Sequence, residues 1–252
     1  MKLKVVQVNI FKGMYLEALV AFLESEAPDF ISMQEVTCGA VSNYNEKSVN
    51  LFKYIRKALG LDGVFYNDVR IVNHPDVFHG NAVFSKYDIL ESKQVVLRHG
   101  RPLAVPEFND PAFFPEFPRS IIDASCDVQG RLIHVLSVHG AWTAPPMDTP
   151  ETLRQAREIA EYLQGLNTPF IMGGDMNTTP DKEVIKIIST AANNLMADSG
   201  ILRTTHPKVH KVAYKELLVD YIFASKEFKR ISVKAPEVLI SDHLPVIAEL
   251  EI

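Results

Sequence analysis

Pro169-Phe170-Ile171-Met172-Gly173-Gly174-Asp175-Met176-Asn177-Thr178-Thr179-Pro180 decides how the rest of the chain is read, because an apolar run there delivers two polar side chains into a turn. Phe170 to Met172 has the bulk and length of a buried strand end. Gly173 and Gly174 are expected to allow a tight bend at positive φ, and Thr179-Pro180 to open the next helix. Asp175 and Asn177 then stand at the strand's carboxyl end. Residues i and i+2 of a strand share a face, so the carboxylate and the amide can converge on one ligand, with the glycines leaving room for close approach. That geometry suits a metal-bound phosphate. In the competing reading the same turn has Asp175 and Asn177 bonding only their own backbone, and the remaining sequence decides between the two.

Working outward, further strand ends carry polar residues. Leu3, Val5 and Val8 predict a first strand ending near Asn9, and Leu16, Leu19, Val20 and Leu23 an amphipathic helix stopped by Pro28. Phe30-Ile31-Ser32-Met33 predicts a second strand that carries Gln34 and Glu35 at its end. Leu51, Tyr54, Ile55, Ala58 and Leu59 form another helical face closed by Gly60. Strands are expected around Val64–Tyr66, Asn81–Phe84 and Val95–Leu97. Ile121–Asp127 and Leu132–Val138 predict a hairpin turning at Gln129-Gly130 and delivering His139. Asp148 or Thr149 is expected to cap a helix with Pro150 in its first turn, followed after the opening stretch by a helix over Val184, Ile187 and Ile188.

Between Arg98 and Pro118, prolines at 102, 106, 111, 115 and 118 interleave with Phe108, Phe113, Phe114 and Phe117, a pattern expected to form a long loop without helix or central strand. Such a loop is either a wall beside a substrate or a segment packed down by its Phe side chains. Later, Thr204, Thr205, His206 and His210 occupy a polar run. Asp220 sits inside the apolar run Leu218-Val219-Asp220-Tyr221-Ile222-Phe223, where a carboxylate needs a partner such as a histidine. Ser241-Asp242-His243-Leu244-Pro245 precedes a half-buried last strand over Val246, Ala248, Leu250 and Ile252.

The chain of 252 residues shows no linker, charge block or repeat, and its polar strand-end residues run from Asn9 to His243, so one domain over 1–252 is expected. A net charge of −5 offers no general attraction for nucleic acid or anionic membranes, while a local basic groove keeps nucleic acid open as a substrate. The absence of a signal-like or membrane-spanning run makes the cytoplasm the default, and no partner protein is implied. Cys38 and Cys126 read as two reduced thiols without metal or disulfide spacing.

These residues resemble the endonuclease/exonuclease/phosphatase superfamily of DNase I-like phosphoesterases over almost the whole chain. Val8-Asn9 is similar to its first motif, Met33-Gln34-Glu35-Val36 to its Gln-Glu motif, and Ser137-Val138-His139 to the strand bearing a catalytic histidine. Gly174-Asp175-Met176-Asn177, Asp220-Tyr221-Ile222-Phe223 and Ser241-Asp242-His243-Leu244-Pro245 are similar to the last three motifs. Arg119 and Asn81 resemble weaker, substrate-binding positions. The chain departs from the family at Gly140-Ala141-Trp142, where the strand histidine is commonly followed by Leu, and at Phe11, where repair nucleases often carry an acid.

The resemblance implies a four-layer α/β sandwich, two mostly antiparallel sheets face to face with helices outside. It implies Mg²⁺-dependent hydrolysis of a phosphate ester, with Mn²⁺ a substitute, by a phosphodiesterase or nuclease. Glu35, Asn9 and Asp242 would hold the metal through oxygen. Asp175 would orient or deprotonate the water, Asn177 would hold a phosphoryl oxygen, His139 and His243 would stabilise developing charge, and Asp220 would fix the His243 tautomer. Two alternatives stay open: a phosphomonoesterase acting on a small polyol or sugar phosphate, and a catalytically silent binding module of the same fold.

Overall fold

The structure, a computed structural model, describes residues 1–38, 49–211 and 216–252. In chain order the first half comprises β1 (Lys2–Asn9), α1 (Leu16–Glu26), β2 (Phe30–Cys38), α2 (Leu51–Leu59), β3 (Asp62–Ile71), β4 (His74–Ser85) and β5 (Ile89–Arg98). The rest comprises α3 (Val105–Asn109), β6 (Arg119–Val128), β7 (Arg131–His139), α4 (Pro150–Gln164), β8 (Phe170–Asp175), α5 (Glu183–Ser189), β9 (Asn193–Asn194), β10 (Asp220–Ala224), β11 (Lys229–Lys234) and β12 (Val246–Glu251).

The strands form two six-stranded sheets, ordered β11-β12-β1-β2-β4-β3 and β5-β6-β7-β8-β10-β9. Each contains a single parallel pair at its centre, β1 with β2 and β7 with β8, and is otherwise antiparallel. This is the expected DNase I-like sandwich. A parallel pair needs a crossover, and α1 and α4 supply the two helical ones. Because the paired strands run the same way, Asn9 lies beside Gln34 and His139 beside Asp175.

Alternation along β1 and β2 separates two cores. Leu3, Val5 and Phe30 join the core between the sheets, while Val6, Val8, Ile31 and Met33 pack outward with Leu19, Leu23 and Ile55 of the helices. On the inward faces the alternation also places Gln7, Ser32 and Gln34, all buried, toward the other sheet. Their polar atoms find partners beside one another and on the other sheet. Gln7 and Gln34 exchange amide hydrogen bonds at 2.7 and 3.0 Å, and Gln34 Nε2 also donates to Ser137 Oγ at 3.0 Å. Ser137 Oγ donates to the Met33 carbonyl at 3.2 Å, and Ser32 Oγ to the Leu136 carbonyl at 2.7 Å. Serine is small enough to let one sheet's hydroxyl reach the other sheet's backbone.

Gly173 belongs to the same close approach. It and Gly174 lie within β8 and make no left-handed bend, contrary to expectation; the left-handed residue here is Asn177, with φ 52°. A Cβ on Gly173 would stand 2.6 Å from Ser32 Cβ and 3.1 Å from Gln7 Oε1. The glycine is a packing requirement between sheets, with no turn to serve.

Two other expectations change. Pro180 precedes α5 by three residues, and Glu183 and Val184 donate their N–H groups to the Asp148 carboxylate at 3.0 and 3.3 Å. Thr149, the alternative cap, takes the N-cap of α4, accepting from Thr152 N at 3.1 Å. The proline-rich segment does contain helix: α3 carries Pro106 in its first turn, where no N–H is required, and a 3₁₀ turn follows over Pro111–Glu116. Phe108 and Phe117 pack it down with Val69, Ile71 and Leu103. Among the described residues no helix is long and apolar enough to cross a membrane.

Gly173→Ala should lower the unfolding free energy by about 1–3 kcal/mol, the range for overpacking a filled interior. Gly165→Ala, at the end of α4 with its nearest neighbour 3.4 Å from the added carbon, should change it little. Equal urea midpoints for the two variants would contradict the role given to Gly173.

Candidate active site

The carboxyl ends of the parallel pairs open on one cleft. Asn9 ends β1, His139 ends β7, Asp175 ends β8 and Arg119 begins β6, while Asp242 and His243 arrive on the segment before β12; all line the cleft. Glu35 reaches it by a different route. In a regular strand it would face opposite to Gln34, but the β2–β4 register slips between Met33 and Val36 and Glu35 takes φ 59°. This bulge, a left-handed position held by a non-glycine residue, turns the glutamate into the site.

Asp175 is the hub. Its Oδ2 accepts from Asn9 Nδ2 at 3.0 Å and lies 3.6 Å from His139 Nε2 and 3.8 Å from His243 Nε2. Its Oδ1 accepts from the Asn177 backbone N–H at 2.9 Å. The Asx turn thus forms, and the side chains converge as well. Asn9 Nδ2 also reaches Glu35 Oε1 at 3.3 Å, and Asn9 Oδ1 accepts from Phe11 N at 3.0 Å. The histidine sought for Asp220 is His243, whose Nδ1 lies 2.8 Å from Asp220 Oδ2; the other Asp220 oxygen accepts from Gln7 at 3.1 Å. Asp220 does not line the cleft and reaches it through that imidazole.

Burial and neighbouring charge separate the two imidazoles. Burial would lower the His243 pKa, but Asp220 and then Asp175 outweigh it and hold the ring protonated well above the ordinary histidine range. His139 is pushed well below that range by burial, with Arg119 adding to the effect, and is neutral at pH 7. Asp175 is raised to about 6, chiefly by burial and partly by Asp220, against the pull of His243. One cationic donor and one neutral ring therefore stand 3.8 and 3.6 Å from a carboxylate near its titration point, a division of protonation states suited to acid–base chemistry.

Lys12, His79 and His210 line the cleft and gave no functional signal of their own in sequence. Lys12 is buried, with its ammonium 4.3 Å from the Phe108 ring centroid and 3.4 Å from the Phe108 carbonyl. Burial pulls its pKa down against the attraction of Glu35 and Asp242. His79 bonds Thr37 at 2.9 Å. His210, visible only as part of a polar run, places Nδ1 3.0 Å from Asp242 Oδ2. Phe114 and Trp142 meet edge to face, with centroids 5.6 Å apart, and form an aromatic wall. In the proline-rich segment Phe108 anchors the chain and Phe114 lines the cleft. Asn81 does not line the cleft; its amide donates to Asp68 at 3.1 Å.

Two clusters among the described residues could hold a metal ion, His210 with Asp242 and His243, and Asp175 with Asp220 and His243. Their imidazole–carboxylate pairs already satisfy one another. Glu35 Oε2, by contrast, is buried without any hydrogen-bond partner. A buried carboxylate oxygen left unmet is costly, and an oxygen-bound cation at Glu35 would remove that cost.

The model of the endonuclease/exonuclease/phosphatase family matches residues 6–243. The chain belongs to this family. Its members are hydrolases acting on phosphate esters. No curated protein sequence matches the chain significantly. Among solved structures, an endonuclease/exonuclease/phosphatase from Bacteroides vulgatus superposes with TM-score 0.74 at 19% identity, covering 100% of this chain and 99% of that one. A mannosyl-6-phosphatase from Bacteroides thetaiotaomicron gives 0.70 at 18% identity, covering 99% and 100%. D. rerio TDP2 complexed with a single-strand DNA product gives 0.73 at 15% identity, covering 100% and 99%. At such identities the likeness establishes the fold, and the substrates named for those proteins remain theirs.

The raised His243 pKa has a consequence for stability. An imidazole whose folded pKa exceeds its unfolded value of about 6.5 contributes stability that is fully present below about pH 6.5 and lost as pH rises through the folded pKa. The unfolding free energy of the wild type minus that of His243→Gln, from urea titrations, should therefore shrink on moving from about pH 6.5 into the alkaline range. A pH-independent difference would show that the ring is not held protonated.

Proposed function

We propose that this cleft hydrolyses a phosphodiester with the help of a divalent cation, Mg²⁺ or in its place Mn²⁺. The observation that carries the reading is the unpartnered, buried Glu35 Oε2 beside a hub carboxylate flanked by two imidazoles. Glu35 and Asp242 would hold the cation through oxygen, with the remaining lone pair of Asn9 Oδ1 within the same set, a donor chemistry suited to Mg²⁺. When bound, the cation supplies positive charge to the phosphoryl and leaving oxygens.

The chain's own residues account for the rest. Asp175, ionised at neutral pH yet raised to about 6, accepts a proton from the attacking water and orients it, while Asn9 and the Asn177 backbone fix the carboxylate. His243, with Nδ1 bonded to Asp220, presents Nε2–H to the cleft as a charged donor for the growing phosphoryl charge. Neutral His139 and the Arg119 guanidinium add donors from β7 and β6. Asn177 spends one amide proton on the Gly140 carbonyl at 3.1 Å and keeps the other for a phosphoryl oxygen. The Phe114–Trp142 wall offers an apolar face to the second ester group, the feature that favours a diester over a small sugar phosphate.

Hydrolysis of a panel comprising single- and double-stranded DNA, a nucleotide diester, an inositol polyphosphate and a sugar phosphate should show turnover of at least one phosphodiester, abolished by EDTA. Inertness across the panel with both Mg²⁺ and Mn²⁺ would reject the reading. Glu35→Gln should lose most activity at low Mg²⁺ and regain part of it at high Mg²⁺ by mass action.

His243→Ala should lose about 2.7–4 kcal/mol of transition-state stabilisation, roughly a hundred- to a thousandfold in rate, with unchanged metal affinity by calorimetry. Asp220→Asn should resemble a milder His243→Ala, and the pair should be far from additive. Rescue of His243→Ala by metal would overturn the division of roles.

A further inference from the structure

A second hollow lies behind the cleft, with a different lining. It opens where the outermost strands of the two sheets, β3 and β5, come together. Arg70 enters it from β3, Arg98 from β5 and Arg101 from the segment that follows. Arg119 lines both this groove and the cleft, and no other residue is common to the two.

The charges in the groove do not cancel. Asp68 is already occupied: Gln94 Nε2 donates to Oδ1 at 3.0 Å, Ser120 Oγ donates to the same oxygen at 2.5 Å, and Asn81 Nδ2 donates to Oδ2 at 3.1 Å. Arg101 is held by Glu107 at 2.7 Å and Glu116 at 3.3 Å. The other three guanidiniums have no carboxylate within ion-pairing distance among the described residues. Arg98 donates to the Pro115 carbonyl, Arg70 is exposed at the rim, and Arg119 is buried with its Nε unpartnered. A buried guanidinium without an ion pair carries a desolvation cost, which burial expresses here as a lowered Arg119 pKa. Guanidinium forks match the oxygens of a phosphate, two at a time.

We infer that this groove is a second anion subsite, taking a further phosphate group of the substrate whose ester lies in the cleft, with Arg119 bridging the two. The inference rests on the proposed phosphodiesterase reading and narrows it: the substrate is a polyanion, an ester that carries at least one additional phosphate. A single-phosphate ester would leave Arg70 and Arg98 without a role.

The test uses the full-length chain and Arg70→Glu, a rim substitution that touches no cleft residue, with Arg70→Lys as the conservative control. Pyrophosphate titrated by calorimetry should occupy two sites on the wild type and one on Arg70→Glu. In parallel, thymidine 5′-(p-nitrophenyl phosphate) is compared with and without a 3′-phosphate. The 3′-phosphate should lower KM by roughly tenfold or more, the scale of a charge-assisted hydrogen bond to phosphate. Arg70→Glu should erase that advantage while leaving kcat and KM for the unphosphorylated ester unchanged, and Arg70→Lys should keep most of it.

One pyrophosphate site on the wild type, or an equal KM for the two esters, would overturn the inference. Two sites with no KM advantage would identify a free anion as the ligand and overturn the claim for the substrate. If neither ester is hydrolysed, the function proposed for the cleft fails separately, and loss of one of two pyrophosphate sites in Arg70→Glu would still uphold the anion subsite.

Discussion

The reciprocal amide pair of Gln7 and Gln34, buried between the sheets, is the constraint on which the site depends. Two carboxamides removed from water must be hydrogen-bonded, since each unmet group costs about 1–3 kcal/mol; these two stand on neighbouring strands of one sheet, hold each other, and each donates a second bond across to the other sheet. Those second bonds join Gln34 to Ser137 and Gln7 to Asp220 across the seam. Asn9 follows Gln7 by two residues on the same face, and Glu35 adjoins Gln34. The seam that joins the sheets therefore also fixes the positions of the groups at its end.

Continuing that seam, the polar network passes from Gln7 through Asp220 to His243 and comes within reach of Asp175. Networks of this kind are stabilising only when every member is satisfied, and the interior portion is. Where the network reaches the cleft it stops being satisfied: Glu35 Oε2 and Arg119 Nε have no partner. Of the nine non-glycine residues at positive φ among the described residues, four line the cleft: Phe11, Lys12, Glu35 and Asn177. At the cleft, where the substrate is proposed to bind, unmet polar atoms and left-handed residues coincide, and the fold has given up local stability there.

The rim of the cleft is built from connecting segments. Trp142, on the segment after His139, and Phe114, from the proline-rich segment, close one side with aromatic rings. Lys12 brings a desolvated ammonium close to Glu35 and Asp242. These groups stand on connections, which can vary without disturbing the paired strands and the seam beneath them.

Periodicity and motif together determined much of this protein. Alternation in β1 and the three- and four-residue spacing in α1 are local signals, and polar residues at the ends of apolar runs stood out because burial makes them costly. Asn9, Glu35, His139, Asp175 and His243 were all legible in that way, as was the need of Asp220 for a histidine. The structure decided what depends on distant parts of the chain. Gly173 and Gly174 resembled a turn, yet their small size answers to Ser32 and Gln7 of the opposite sheet and to Val138 and Met176 beside them. Asn81 resembled a substrate contact, yet its amide is spent on Asp68. Lys12, His79 and His210 read as ordinary polar residues because their burial is created by α3, Phe108 and the segment before β12, none of them sequence neighbours. A local pattern records the face a residue presents; what stands opposite that face is fixed only when the two sheets close.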